Sequence, residues 1–254
     1  MKPGAICYLV KATRPDVADF IKSLLHLRQN YLVRFPADVI AFHEADLSTE
    51  QRREILDRTG MKVMFSQVIF SSADAERYGA SFPLGYRHMC HFFANDIFTR
   101  PELDNYEYYC RLDTDSFILS PVRRDIFEAA KQQGAVYGYI AEMFGSAKFM
   151  EGLWPLCAQY VARSKTPVLR GLYTDIKEGW IYYTNFELCR LDWFRRDPWK
   201  SFFAEIDRDG GIYRCRWGDH LIRYIGVNLY VPADKILKVT DIHYRHHWTF
   251  NAPR

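Results

Sequence analysis

Apolar and polar positions recur along this chain with two periods, and the switches between them outline an α/β fold. Ala5-Ile6-Cys7-Tyr8-Leu9-Val10 is a continuous apolar run, which predicts a strand buried on both faces. Val17, Phe20, Ile21, Leu24 and Leu25 then form one apolar stripe at helical spacing. Thr13 is placed to cap that helix, with Pro15 and Asp16 in its first turn. Val39-Ile40-Ala41-Phe42 predicts a second buried strand. Ser48 and Gln51 form a capping box for a charged helix that Gly60 ends. A third strand is expected over 62–65. This order predicts a mainly parallel central sheet flanked by helices.

The pattern continues with a helix over about 78–100, Pro83 lying near its start. Tyr106–Leu112 is a Tyr-rich strand. Pro121 opens a helix through about Gln133, and 136–140 is another strand. Between about 142 and 180 the pattern weakens, which we read as a helix plus a long loop bordering a site. The segment 182–187 leads into a helix near 192–208. Asp209-Gly210-Gly211 is a turn, followed by a helix at about 218–225 and a strand near 227–231. No repeat or linker divides the 254 residues, so one domain over 1–254 is expected.

Composition narrows the function classes. A formal charge of +3, with basic residues in no run longer than a pair, does not make a nucleic-acid footprint. The six cysteines contain no Cys-x-x-Cys pair, which argues against a structural zinc site. Their density is far below that of a disulfide scaffold, although one or two bridges remain compatible with a secretory protein. Cys7 and Cys110 read as small buried hydrophobes. The high aromatic content, 16%, fills a core and can also line a polar groove. No apolar stretch is long enough for a signal peptide or membrane span.

The chemistry concentrates at Asp113-Thr114-Asp115. In open α/β sheets ligands bind beyond the carboxyl ends of strands, and this segment directly follows such a strand. Two carboxylates there suit a hard divalent cation, which would draw electrons from a departing diphosphate. The plainer reading is a turn whose Asp side chains cap a helix. His243, His246 and His247 cluster beside Asp241, and a chain end can fold back to complete a metal site. Glu187 can serve as nucleophile or charge stabiliser, or simply as a first-turn Glu favouring a helix dipole. Asp219, after Trp217-Gly218, can seat a sugar or cap a helix. Lys11 can meet a phosphate or be a solvated loop residue. No Gly-x-Gly-x-x-Gly, Walker or Gly-x-Ser-x-Gly segment occurs, which disfavours kinases, NTPases, dinucleotide oxidoreductases and α/β-hydrolases.

Several blocks, in order, carry a resemblance. They are Leu9-Val10-Lys11, Tyr86-Arg87-His88-Met89-Cys90, Tyr106 to Asp113, Thr184-Asn185-Phe186-Glu187, Arg216-Trp217-Gly218-Asp219, and Asp241-Ile242-His243-Tyr244-Arg245-His246. Together they resemble the fungal Kre2/Mnt1-type α-1,2-mannosyltransferases, glycosyltransferase family 15. The resemblance implies a GT-A-like fold, a nucleotide-binding half at 1–115 and an acceptor and catalytic half at 116–254. It implies a retaining hexosyl transfer, mannosyl from GDP-mannose, using Mn2+ or Mg2+. The acceptor would be a glycan or glycoprotein hydroxyl.

By position, the resemblance gives Asp113, Asp115 and His246 to the metal and Glu187 to the nucleophile. Tyr86 and Asp219 fall to the donor and catalytic pocket, and Lys11 to the nucleotide. Asp113-Thr114-Asp115 departs from the family's Glu-Pro pattern, and His243 stands where Gly is usual. The alternatives are a UDP-sugar donor, a nucleotidyltransferase, or a non-catalytic glycan-binding protein on the same fold. The location expected is the cytosol for a complete chain, or the Golgi lumen for the soluble part of an anchored one.

Overall fold

The computed structural model describes residues 1–71 and 83–252. The strands, in chain order, are β1 (Lys2–Val10), β2 (Asp38–His43), β3 (Met64–Gln67), β4 (Tyr106–Leu112), β5 (Phe117–Ile118) and β6 (Tyr137–Tyr139). They continue with β7 (Glu142–Phe144), β8 (Trp180–Tyr182), β9 (Phe186–Arg190), β10 (Ile236–Lys238), β11 (Tyr244–His246) and β12 (Trp248–Phe250). The main helices are α1 (Arg14–Leu27), α2 (Thr49–Thr59), α3 (Leu84–Ala94), α4 (Ile126–Gln133), α5 (Leu153–Arg163), α6 (Trp199–Asp209) and α7 (Asp219–Tyr230). The central sheet runs β10-β6-β9-β4-β1-β2-β3. All its pairings are parallel except those of β9 with β4 and β6.

Alternation along the strands builds two apolar layers. Ala5 and Cys7 of β1, with Ile40 and Phe42 of β2, join one layer under α3, α5, α6 and α7. Ile6, Tyr8, Val39 and Ala41 join the other, under α1, α2 and α4. Because successive side chains point to opposite faces, runs that look uniformly apolar serve both layers. Local signals act where expected. Thr13 accepts from the Asp16 amide, the Ser48–Gln51 capping box is complete, and Gly60 ends α2 at a left-handed φ of 61°.

Several sequence expectations are corrected. The helix expected from Pro121 begins at Ile126, because Asp125 is its cap and accepts from the Phe127 amide at 2.9 Å. The strand expected near 227–231 is the end of α7, with Val227 and Leu229 packed as helical core residues. Leu25 is 41% exposed, and Leu27 takes its place in the α1 stripe. The third strand sits slightly later than 62–65, after Gly60 has turned the chain. The weak region at 142–180 contains α5 and the two-stranded β7-β8 ribbon. The first part of the helix expected over 78–100, through residue 82, lies outside the described residues, and α3 then runs from Leu84 to Ala94.

The largest correction concerns 182–187. This segment does not end at a loop-to-helix junction; it enters β9, an antiparallel strand inserted between β4 and β6. A five-residue strand carrying both Glu187 and Arg190 gives too short a pattern to separate from a helix start. All six cysteines are free thiols. Among the described residues no helix is long and apolar enough to cross a membrane.

Candidate active site

The carboxyl end of β4 opens into a tight turn. The Asp113 amide donates to the Asn185 carbonyl at 3.2 Å and to the Ser116 hydroxyl at 3.1 Å, and the Ser116 amide returns to the Asp113 carbonyl at 3.0 Å. The chain then forms β5, whose antiparallel partner is β11, with Tyr244 opposite Ile118 and Arg245 opposite Phe117. That register carries His246 to the turn. Its Nε2 lies 3.0 Å from Asp115 Oδ1 and 3.8 Å from Asp113 Oδ2. The turn hydrogen bonds therefore fix one side of the cluster, and the β5–β11 pairing delivers the other.

The donor set suits a divalent cation. Two ligand atoms about 2.1 Å from one ion and about 90° apart are themselves about 3 Å apart, which matches the Asp115–His246 spacing. The Tyr183 hydroxyl donates to the His246 carbonyl at 2.6 Å and so accepts from its Nδ1–H at 2.8 Å. That leaves Nε2 as a bare lone pair facing the carboxylates, the orientation a ligating imidazole takes.

Arg111 ties this cluster to the cleft floor. Its Nε donates to Asp113 Oδ1 at 2.8 Å and its Nη1 to Asp219 Oδ2 at 2.7 Å. The guanidinium lies over the Phe93 ring, 3.7 Å from the centroid. Thr184 also donates to Asp219, at 2.7 Å. Burial raises the Asp219 pKa, but Arg111 leads a set of cations and donors that more than offsets this, so the group stays ionised. Tyr86 lies between the two parts of the cleft. On one side it faces Lys11, Asp113 and Asp115. On the other it faces Asp113, Asp219 and His246. The Arg216 guanidinium caps its ring at 4.4 Å.

The structure thus brings together Lys11, Tyr86, Asp113, Asp115, Asp219 and His246. It does not bring Glu187 to the cleft. Glu187 has no exposure and faces the layer beneath α7. Arg223 Nε donates to its Oε2 at 2.9 Å, and the Tyr109 hydroxyl donates to its Oε1. Arg223 is itself buried among Phe98, Phe194 and Trp199, with ring centroids at 4.9, 4.7 and 4.6 Å. The expectation of Glu187 as nucleophile is corrected on position: its carboxylate is closed off by its own ion pair.

Residue reading missed Arg111, Tyr183 and Thr184. The signal for Arg111 was present, a lone cation inside the apolar strand Tyr106–Leu112, since a buried Arg needs a carboxylate partner. Tyr183 carried no such signal, because its role depends on the fold-back of β11.

The profile of the family described as glycolipid 2-alpha-mannosyltransferase, Glyco_transf_15, matches residues 66–254. The chain belongs to this family. The probable mannosyltransferase KTR3 of Saccharomyces cerevisiae is 26% identical over 253 residues, covering 89% of this chain and 62% of that protein. The probable mannosyltransferase MNT3 of Candida albicans is 30% identical over 166 residues, covering 63% of this chain and 44% of that protein. The chain thus spans less than two thirds of the length of these curated relatives.

Among solved structures, Ktr4p of S. cerevisiae in complex with GDP superposes with a TM-score of 0.88 at 21% identity, covering 99% of this chain and 73% of that one. Core-mannan synthase A of Aspergillus fumigatus in its Mn/GDP form gives 0.84 at 24%, covering all of this chain and 77% of that one. These two likenesses establish the fold, which is that of the GT-A-like mannosyltransferases.

Proposed function

We propose that this chain is a metal-dependent retaining mannosyltransferase, moving a mannosyl group from GDP-mannose to a hydroxyl of a glycan or glycoprotein. The observation that carries the reading is the meeting of Asp113 and Asp115 with His246 at the carboxyl end of β4, in a chain of this family. The Mn/GDP and GDP complexes of the two solved relatives support the choice of donor. Residues 1–115 would hold the nucleotide and 116–254 would complete the catalytic half, within one domain.

In this reading Asp113, Asp115 and His246 would hold Mn2+, which would supply charge neutralisation for the diphosphate leaving group. Lys11 meets the nucleotide's phosphates from the end of β1. Asp219, kept ionised by Arg111, accepts hydrogen bonds from donor-sugar hydroxyls and orients the ring. Tyr86 closes the wall between the nucleotide and sugar parts of the cleft. The bond from the anomeric carbon to the diphosphate breaks with its electron pair on GDP, and the acceptor oxygen bonds to that carbon.

Glu187 is shut behind Arg223 and Tyr109, so the reading assigns it no covalent step. The acceptor then enters on the face the diphosphate leaves, the configuration is retained, and the acceptor proton passes to the departing phosphate oxygen. The test is incubation with labelled GDP-mannose or UDP-hexoses, a mannoside acceptor and Mn2+. An α-mannoside product formed only from GDP-mannose supports the proposal; transfer only from a UDP-hexose refutes the donor, and no transfer with intact glycan binding refutes the enzyme.

A further inference from the structure

We propose that His247 is an additional ligand of the metal cluster, and that the site therefore selects a transition ion rich in nitrogen affinity, such as Co2+ or Zn2+, over Mg2+. The inference rests on the metal reading above and goes beyond it in ligand set and ion class. Asp115, His246 and His247 each present one ligand atom, and the three lie within 4.8 Å of one another. His247 Nε2 is 3.9 Å from Asp115 Oδ2, on the other oxygen from the one His246 approaches. The carboxylate thus has one imidazole at each oxygen, and the two rings converge with centroids 4.3 Å apart.

The backbone fixes where the ring sits. His246 pairs directly with Trp248, so His247 is the single residue at the tip between β11 and β12. It adopts a left-handed φ of 52°, a conformation that non-glycine residues rarely take and that collects at binding and catalytic sites. The His247 side chain is 71% exposed, so water is the partner an ion would displace.

Donor chemistry then sets the ion. Asp115 supplies a carboxylate, and the His246 and His247 imidazoles add two nitrogen donors beside it. Imidazole suits the later first-row ions, whereas carboxylate and water shells suit Mg2+. The second histidine therefore raises Co2+ and Zn2+ affinity and does little for Mg2+.

The test is calorimetric titration of the metal-stripped full chain with CoCl2 and MgCl2, with the visible Co2+ spectrum recorded in parallel. The variants are His247→Gly, His247→Asn and Asp115→Ala. Gly and Asn both accept the left-handed turn, and the metal-free melting midpoint checks that each variant is folded. The expected result is a loss of Co2+ affinity of about tenfold or more in both His247 variants, with an altered visible spectrum and unchanged Mg2+ affinity. Unchanged Co2+ affinity and spectrum in both, with binding abolished by Asp115→Ala, overturns the role of His247 and leaves the metal site standing. Absence of Co2+ binding by the wild type overturns the metal reading itself.

Discussion

Arg111 and Asp219 are joined by a 2.7 Å ion pair in which both side chains are at most 3% exposed. The same guanidinium holds Asp113, so one buried cation orients a carboxylate in each part of the cleft. Buried ion pairs add little net stability, but removing one partner strands the other's charge. Arg111→Met should therefore destabilise the protein by about 3–5 kcal/mol, measured by urea unfolding. A loss below about 1 kcal/mol, the level of an exposed pair, would show that Asp219 finds another partner.

Glu187 and Arg223 give a prediction with two readouts. Neither has any exposed surface. Glu187→Gln should lower the melting midpoint clearly while the folded variant keeps its turnover within about tenfold; deleting a true nucleophile or its equivalent costs about 10⁴-fold or more. The paired change Glu187→Leu with Arg223→Met should recover much of the lost stability, because apolar residues of similar volume replace buried ion pairs well. A Glu187→Gln variant that melts normally and has lost turnover by about 10⁴-fold would return Glu187 to the chemistry.

A second ion-pair cluster makes stability depend on pH. His91 lies between Asp96 at 2.8 Å and Asp207 at 2.9 Å, joining α3 to α6. Burial pushes the ring's pKa down, but Asp207 and Asp96 outweigh this and raise it to about 10. The unfolded imidazole titrates near about 6.5, so the folded state binds the proton more tightly. The pair's contribution is fully present below about pH 6.5 and is lost as pH rises through about 10. The stability difference between wild type and His91→Gln should shrink across that window in urea titrations. A difference that stays constant from pH 6 to about 10 would show that His91 is not charged in the fold.

Much of the fold was legible because β1 and β2 hold continuous apolar runs, β4 is Tyr-rich, and the helices that follow β1 and β2 carry explicit caps at Thr13, Ser48 and Gly60. β9 was not, because five residues with Glu187 among them resemble a helix start. Asp125 hid the true start of α4 behind Pro121, since either residue type suits a helix N-terminus. In the site, Asp113, Asp115 and His246 could be named from residue type and resemblance. Their convergence depends on the β5–β11 register, which no local pattern encodes. The placement of Glu187 depended on α7 lying over β9 and supplying Arg223. That is a tertiary contact between segments whose own patterns say nothing of each other.

The central claim is that Asp113, Asp115 and His246 together hold the ion required for mannosyl transfer. The most direct measurement is transfer from GDP-mannose to a mannoside acceptor by metal-stripped protein, before and after adding Mn2+, for wild type and Asp113→Ala. The account predicts no transfer by stripped wild type, recovery with Mn2+, and no recovery by an Asp113→Ala variant that melts normally. Full transfer by the wild type in the presence of chelator would contradict it.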